Sequence, residues 1–182
     1  MKTSSTLFSL VLLSFLGCGT YTKPIASDSS IKTIDQKVDS LLNLMTLEEK
    51  IGQLNQYNGF WDVTGPDPKE GAAATKYEHL KKGFVGSMLN IKGVKDVKKI
   101  QKIAVEETRL GIPLLFGFDV IHGYKTISLI PLAEAASWDL DAIKNSASIA
   151  AEEAASVGIN WTFAPMVDIS RDARWGRVME GA

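Results

Sequence analysis

Cysteine is almost missing: Cys18 stands alone among 182 residues, so no internal disulfide can form and the fold must be held by packing. Charge of one sign is missing as well. The 20 Lys and Arg face 21 Asp and Glu, for a formal net charge of −1. Without a basic surface to neutralise phosphates, a nucleic-acid partner is not expected. The apolar run from Leu7 to Leu16 is too short to cross a bilayer as a helix. No Gly-x-Gly-x-x-Gly turn follows the first strand pattern, no phosphate loop appears, and the Gly-x-Ser-x-Gly elbow of a serine nucleophile is absent. His79 and His122 lack partners at metal-ligand spacing, so neither a metal nor a cofactor is expected.

The amino-terminal stretch has its own logic. Lys2, a short apolar run and then small residues make the pattern of a secretory signal over residues 1–17. Cys18 directly follows Leu16-Gly17, the setting of a bacterial lipoprotein cleavage site, which predicts lipidation of Cys18 and attachment to a membrane. An ordinary signal peptide with an incidental cysteine is the alternative. Both readings export the protein, to the periplasm or as an outer-membrane lipoprotein. Residues 18–32 are rich in Ser, Thr, Asp and Lys and read as a flexible tether.

The folded part is expected over residues 33–182. Ile34, Val38, Leu41, Leu42 and Met45 recur at helical spacing. Thr46 and Glu49 form a capping box that opens a second helix, with Ile51 and Leu54 as its buried side. The Gly- and Pro-containing stretch 55–75 reads as a long loop. A unit then repeats, in which a helix ends at glycine and a β-rich run follows. Gly83 precedes 84–90, Gly111 precedes 112–119, and Gly158 precedes 159–168. Val94, Val97, Ile100, Ala104 and Leu110 line one intervening helix, with Lys95, Lys98, Lys99 and Lys102 on its solvated face. Leu140, Ile143, Ala147, Ala151, Ala154 and Val157 line the other.

Strands alternating with helices predict an α/β fold with a parallel sheet. The nearly continuous apolar runs suggest strands buried on both faces. Without a dinucleotide fingerprint, and with Asp119 and Asp168 closing two strand patterns, the barrel reading is preferred, since barrels carry function at the carboxyl ends of their strands. Eight strands with their helices need about 250 residues. The chain therefore reads as the amino-terminal portion of a (β/α)8 TIM-like barrel, a truncated domain.

Two constellations carry chemistry. Asp119 and His122 lie three residues apart on a turn after a strand, and a carboxylate there can accept two bonds from neighbouring sugar hydroxyls. A structural cap is the competing role for Asp119, and His122 alone is more simply a packed histidine. The second constellation, 168–177, crowds Asp168, Arg171, Asp172, Arg174, Trp175 and Arg177. Arginine forks and a flat indole face suit a neutral polyhydroxyl ligand, although Arg171, Asp172 and Arg174 fit a salt-bridged loop better.

Four segments together resemble family 3 glycoside hydrolases. They are Leu-Met-Thr-Leu-Glu-Glu-Lys-Ile-Gly-Gln-Leu (44–54), Gly-Ile-Pro-Leu-Leu-Phe-Gly-Phe-Asp-Val-Ile-His-Gly (111–123), Thr-Phe-Ala-Pro-Met-Val-Asp-Ile (162–169) and Ser-Arg-Asp-Ala-Arg-Trp-Gly-Arg (170–177). The nearest subgroup is the periplasmic bacterial β-glucosidases. The resemblance implies retaining hydrolysis of terminal β-D-glucosyl residues, with Asp119 and Arg177 holding the innermost sugar. It gives Asp168 no catalytic role and places the nucleophile and the acid/base beyond Ala182, so no catalytic residue is expected in this chain and the piece alone is expected to be inactive. Ser128-Leu129 replaces a common Phe-Pro, and Ala173 a usual Pro, leaving Asp119 and Arg177 in place. A β-xylosidase or β-N-acetylhexosaminidase of the same family, and a non-catalytic lipid-anchored sugar-binding module, are the rival readings.

Overall fold

Two threonines open the structure in the same way. In the computed structural model, which describes residues 32–59 and 68–181, Thr33 caps helix α1 (Ile34–Leu44) and Thr46 caps α2 (Leu47–Gly52). The expected leader, Cys18 and the tether to residue 31 lie outside the described residues, as do Phe60, Trp61 and Pro66. At α2 the capping box forms as expected: Thr46 Oγ1 accepts from the Glu49 N–H at 3.2 Å, and Glu49 returns the contact at 2.8 Å. Glu49 is buried and serves a second partner. Its carboxylate receives Arg109 Nε at 2.9 Å and Nη2 at 2.5 Å, and Arg109 Nη2 also reaches the Leu44 carbonyl at 2.8 Å. One guanidinium thus ties the end of α1 and the start of α2 to the middle of the chain.

Strands and helices then alternate. The order is β1 (Gln56–Asn58), α3 (Gly71–Lys81), β2 (Ser87–Leu89), α4 (Val94–Glu106), β3 (Leu115–Phe118), α5 (Pro131–Ala136), α6 (Leu140–Ser156) and β4 (Trp161–Thr162). Short 3-10 turns follow at Ala173–Trp175 and Val178–Glu180. Gly83, Gly111 and Gly158 all adopt positive φ between a helix and the next strand, as the repeat requires.

All strand pairs are parallel and the spatial order equals the chain order, β1-β2-β3-β4. A doubly wound sheet reverses direction part-way, and this one does not. Stepwise parallel pairing with a helical crossover at every step is the winding of a (β/α)8 barrel, of which these strands form a sector. Registers place Met88 beside Phe116 and Gly117 beside Trp161.

The main core lies between this sheet and its helices. Met88 and Phe116 pack against Tyr77 and Leu80 of α3 and Val97, Ile100, Ile103 and Ala104 of α4. Lys95, Lys98 and Lys102 face outward as expected, with Lys102 paired to Glu106 at 3.6 Å, whereas Lys99 is half-buried with its ammonium 5.6 Å from the Tyr77 ring centroid. A smaller cluster joins Val120, Ala154 and Ile159, with Phe118 and Tyr124 against it.

Several expectations need correction. The stretch 55–75 is not all loop, because β1 and the start of α3 fall within it. Burial on both faces holds for β2, where Ser87 and Met88 are both buried, but not for β3 and β4, where Leu115 and Trp161 are exposed. Ile51 and Leu54 are exposed, because α2 turns its small residue inward instead. A Cβ on Gly52 would stand 2.4 Å from Phe84 Cα. On α6 the buried stripe is Ala150 and Ala154, while Leu140, Ala147 and Ala151 are exposed. Val94 is likewise exposed, at the very start of α4.

Candidate functional site

The carboxyl ends of β3 and β4 carry the residues with chemical potential. Asp119 immediately follows β3 and is exposed, with Oδ1 accepting the Ile121 N–H at 3.0 Å. That bond turns the chain and holds the carboxylate at the strand end. The capping role weighed for Asp119 is therefore real, yet it uses one oxygen and leaves the group accessible.

The loop after Asp119 is built around Gly123. Its φ is +102°, and a Cβ there would stand 2.0 Å from the Thr126 carbonyl, so only glycine fits. Gly123 N–H donates to the Val120 carbonyl at 3.0 Å, and Ser128 N–H donates to the His122 carbonyl at 2.8 Å. His122 is exposed, so it is not the packed histidine its sequence context suggests. Glu153 of α6 clamps the far side of the loop, accepting from Lys125 N–H and Thr126 N–H at 2.7 Å each and from the Thr126 hydroxyl at 2.6 Å. The Thr126 hydroxyl first, then the two amides, hold the Glu153 carboxyl below the usual glutamate range.

Asp168 is not at a strand end. β4 stops at Thr162, where the Ala164 N–H turns back onto Thr162 Oγ1 at 3.2 Å, and the chain leaves the sheet six residues earlier than the apolar pattern implies. Met166 then runs beside Gly181, which brings the last described residues back across this segment. In the loop between them, Asp172 and Arg174 pair with each other, Nε lying 2.9 and 3.0 Å from the two carboxylate oxygens. The salt-bridged reading holds for that pair, and each shifts the other's ionisation in the favourable direction.

Arg177 gathers the two constellations. Its Nε and Nη2 donate to Glu180 at 2.7 and 2.5 Å, a bidentate clasp on one 3-10 turn. Glu180 raises the Arg177 pKa most, and the fields of Asp168 and Asp119 add to it, so both aspartates stand within electrostatic reach of the guanidinium. Arg177 in turn lowers the Glu180 carboxyl. The turn carrying Glu180 packs against α5. Glu180 was not singled out from the sequence, although its spacing of three from Arg177 was a legible signal. Trp175, beside them, is partly exposed.

A cation flanked by carboxylates at a strand-end surface binds neutral polar groups well. The guanidinium donates, the carboxylates accept, and a hydroxyl does both. Among the described residues, no group of three or more His, Cys, Asp or Glu is arranged to hold a metal ion.

Comparison with known proteins agrees with the fold. Residues 46–181 match the Glycosyl hydrolase family 3 N terminal domain. A periplasmic beta-glucosidase of Salmonella typhimurium is 44% identical over 148 residues, covering 81% of this chain and 18% of its own. A putative beta-xylosidase of Formosa agariphila is 29% identical over 178 residues, covering 91% of this chain and 24% of its own. Among solved structures, a mutant beta-glucosidase from Listeria innocua in complex with laminaribiose superimposes with a TM-score of 0.71 at 39% identity, covering 82% of this chain and 21% of that one. The chain spans about a fifth of the length of the relatives it matches.

Proposed function

The chain belongs to glycosyl hydrolase family 3, and on that premise we propose that it provides the first barrel strands and the innermost sugar-binding residues of an exported, retaining β-glucosidase. Asp119 accepts bonds from neighbouring hydroxyls of the terminal glucosyl unit, and Arg177 donates to the same ring. The observation that carries this reading is Asp119, exposed directly after β3 with one carboxylate oxygen held by the Ile121 N–H, with Arg177, clasped by Glu180, within its electrostatic reach.

Retaining hydrolysis uses two carboxyl groups about 5–5.5 Å apart across the scissile bond. Asp119 is committed to holding the sugar and Asp168 has no assigned catalytic part, so neither the nucleophile nor the acid/base is assigned within residues 1–182. Those 182 residues alone do not turn over. The Salmonella relative's periplasmic name supports export, which proceeds through the leader at 1–17, with Cys18 lipidated and holding the protein at a membrane.

The test compares an aryl β-glucoside and laminaribiose as substrates for the full gene product and for the 182-residue chain. Activity is expected in the first and none in the second. Asp119→Ala is expected to lower kcat/KM by about a hundredfold or more, since bonds to a charged acceptor contribute roughly 1.5–3 kcal/mol each. Turnover by the chain alone that depends on Asp119 overturns the division of labour. The Formosa relative favours a second reading, β-xylosidase, and a higher kcat/KM on the aryl β-xyloside would select it.

A further inference from the structure

Asp119 is exposed and sits at the end of a four-residue strand, yet a sugar ligand needs its carboxylate in one place. The loop that follows supplies the constraint, and its fixed point lies on a different element. Glu153 faces the loop from α6 and receives three donors, two of which, the successive Lys125 and Thr126 amides, converge on the same oxygen. Adjacent backbone amides aimed at one anionic oxygen form a small anion nest. Bonds to an ionised acceptor are roughly twice as strong as neutral ones.

The path from that clamp to Asp119 is short and continuous. The Thr126 carbonyl lies against Gly123, with no room for a Cβ between them. Gly123 N–H bonds the Val120 carbonyl, and Ile121 N–H bonds Asp119 Oδ1. Ala154, the neighbour of Glu153, packs in one cluster with Val120, the residue after Asp119. One turn of α6 therefore meets the loop twice, through the Glu153 carboxylate at Thr126 and through the apolar cluster that Ala154 shares with Val120.

We infer that Glu153 is a positioning residue for sugar binding: it closes the 119–128 loop and so sets where Asp119 presents its carboxylate. The inference rests on the reading of Asp119 as a sugar ligand. Ordering the loop before the sugar arrives removes an entropy cost from binding, so loss of the clamp weakens affinity without touching the sugar directly.

The experiment measures glucose binding by calorimetry to the full gene product, with amide hydrogen exchange followed over 119–128. Glu153→Ala is expected to speed exchange at Lys125 and Thr126 and to weaken glucose by about tenfold. Glu153→Gln keeps an acceptor for the amides and is expected to lose less. Thr126→Val deletes only the hydroxyl donor, provides a mild variant that keeps the fold, and should fall between the parent and Glu153→Ala. The deciding readout is a double-mutant cycle. In an Asp119→Ala background, Glu153→Ala is expected to cost no further affinity, because Glu153 acts through Asp119. An equal loss in both backgrounds overturns positioning and leaves general loosening. Glu153 variants that bind glucose like the parent while Asp119→Ala does not also overturn it. An Asp119→Ala protein with unchanged glucose affinity removes the underlying sugar-ligand reading, and this inference with it.

Discussion

Helices α4 and α1 carry similar apolar stripes and meet opposite surroundings. In α4, Val97, Ile100, Ile103 and Ala104 are buried, and Ile100 has no exposed surface at all. In α1, Ile34, Val38 and Leu42 are 78%, 48% and 42% exposed, and only Met45, just past its end, is buried. The difference is position in the chain. α4 is bracketed by β2 and β3, which pair with each other, so its cover arrives from both neighbours over short connections. α1 precedes every described strand and is held through its end, by the Arg109 contact to the Leu44 carbonyl. An apolar stripe states that a face seeks cover, and only the neighbouring elements state where the cover comes from.

This comparison can be sharpened by substitution. Phe116→Ala, in the centre of the core that α4 shares, is expected to cost about 3–5 kcal/mol in urea unfolding. The Glu49 clasp comes next, since it joins the two regions. Its carboxyl is held below the usual glutamate value of about 4.3, first by the Arg109 bond and then by the Thr46 amide. The unfolded chain therefore binds more protons in that window. The stabilisation is complete above about pH 4.3 and is lost as pH falls through the lower folded value. Glu49→Gln should lower the urea midpoint more at pH 7 than at pH 3, and a loss independent of pH would deny the charge its part. Ile34→Ala is expected to change stability by less than about 0.5 kcal/mol, as for an ordinary surface site. A loss as large as that of Phe116→Ala would show that α1 is as well covered as α4.

Much of the fold was legible because its signals are local. The glycines at 83, 111 and 158 and the stripe of α4 each lie within one turn or one helix of what they determine. β1 escaped because Gln56-Tyr57-Asn58 is short and mostly polar, and α5 because its six residues complete less than two turns. Asp119 could be placed at a strand end from its run of apolar neighbours. Asp168 could not, since the pattern 159–168 stays apolar after the ladder has ended at Thr162. Glu153 and Thr126 are 27 residues apart, and Glu49 and Arg109 are 60 apart. No periodicity reports a partner at that separation, so the capping role of Glu49 was legible while its bond to Arg109, and the clamp that Glu153 makes on the loop, were not.

The 60-residue span of the Glu49–Arg109 clasp also sets a timetable for synthesis. At roughly 5–20 residues per second, Arg109 leaves the ribosome about 3–12 s after Glu49. During that interval Glu49 already has its local partner at Thr46, so α2 can be capped on the nascent chain while the guanidinium is still unmade. For the same seconds the end of α1 at Leu44 lacks the one contact that Arg109 gives it, so the clasp joins the two helices to the rest of the fold only after α4 has been made.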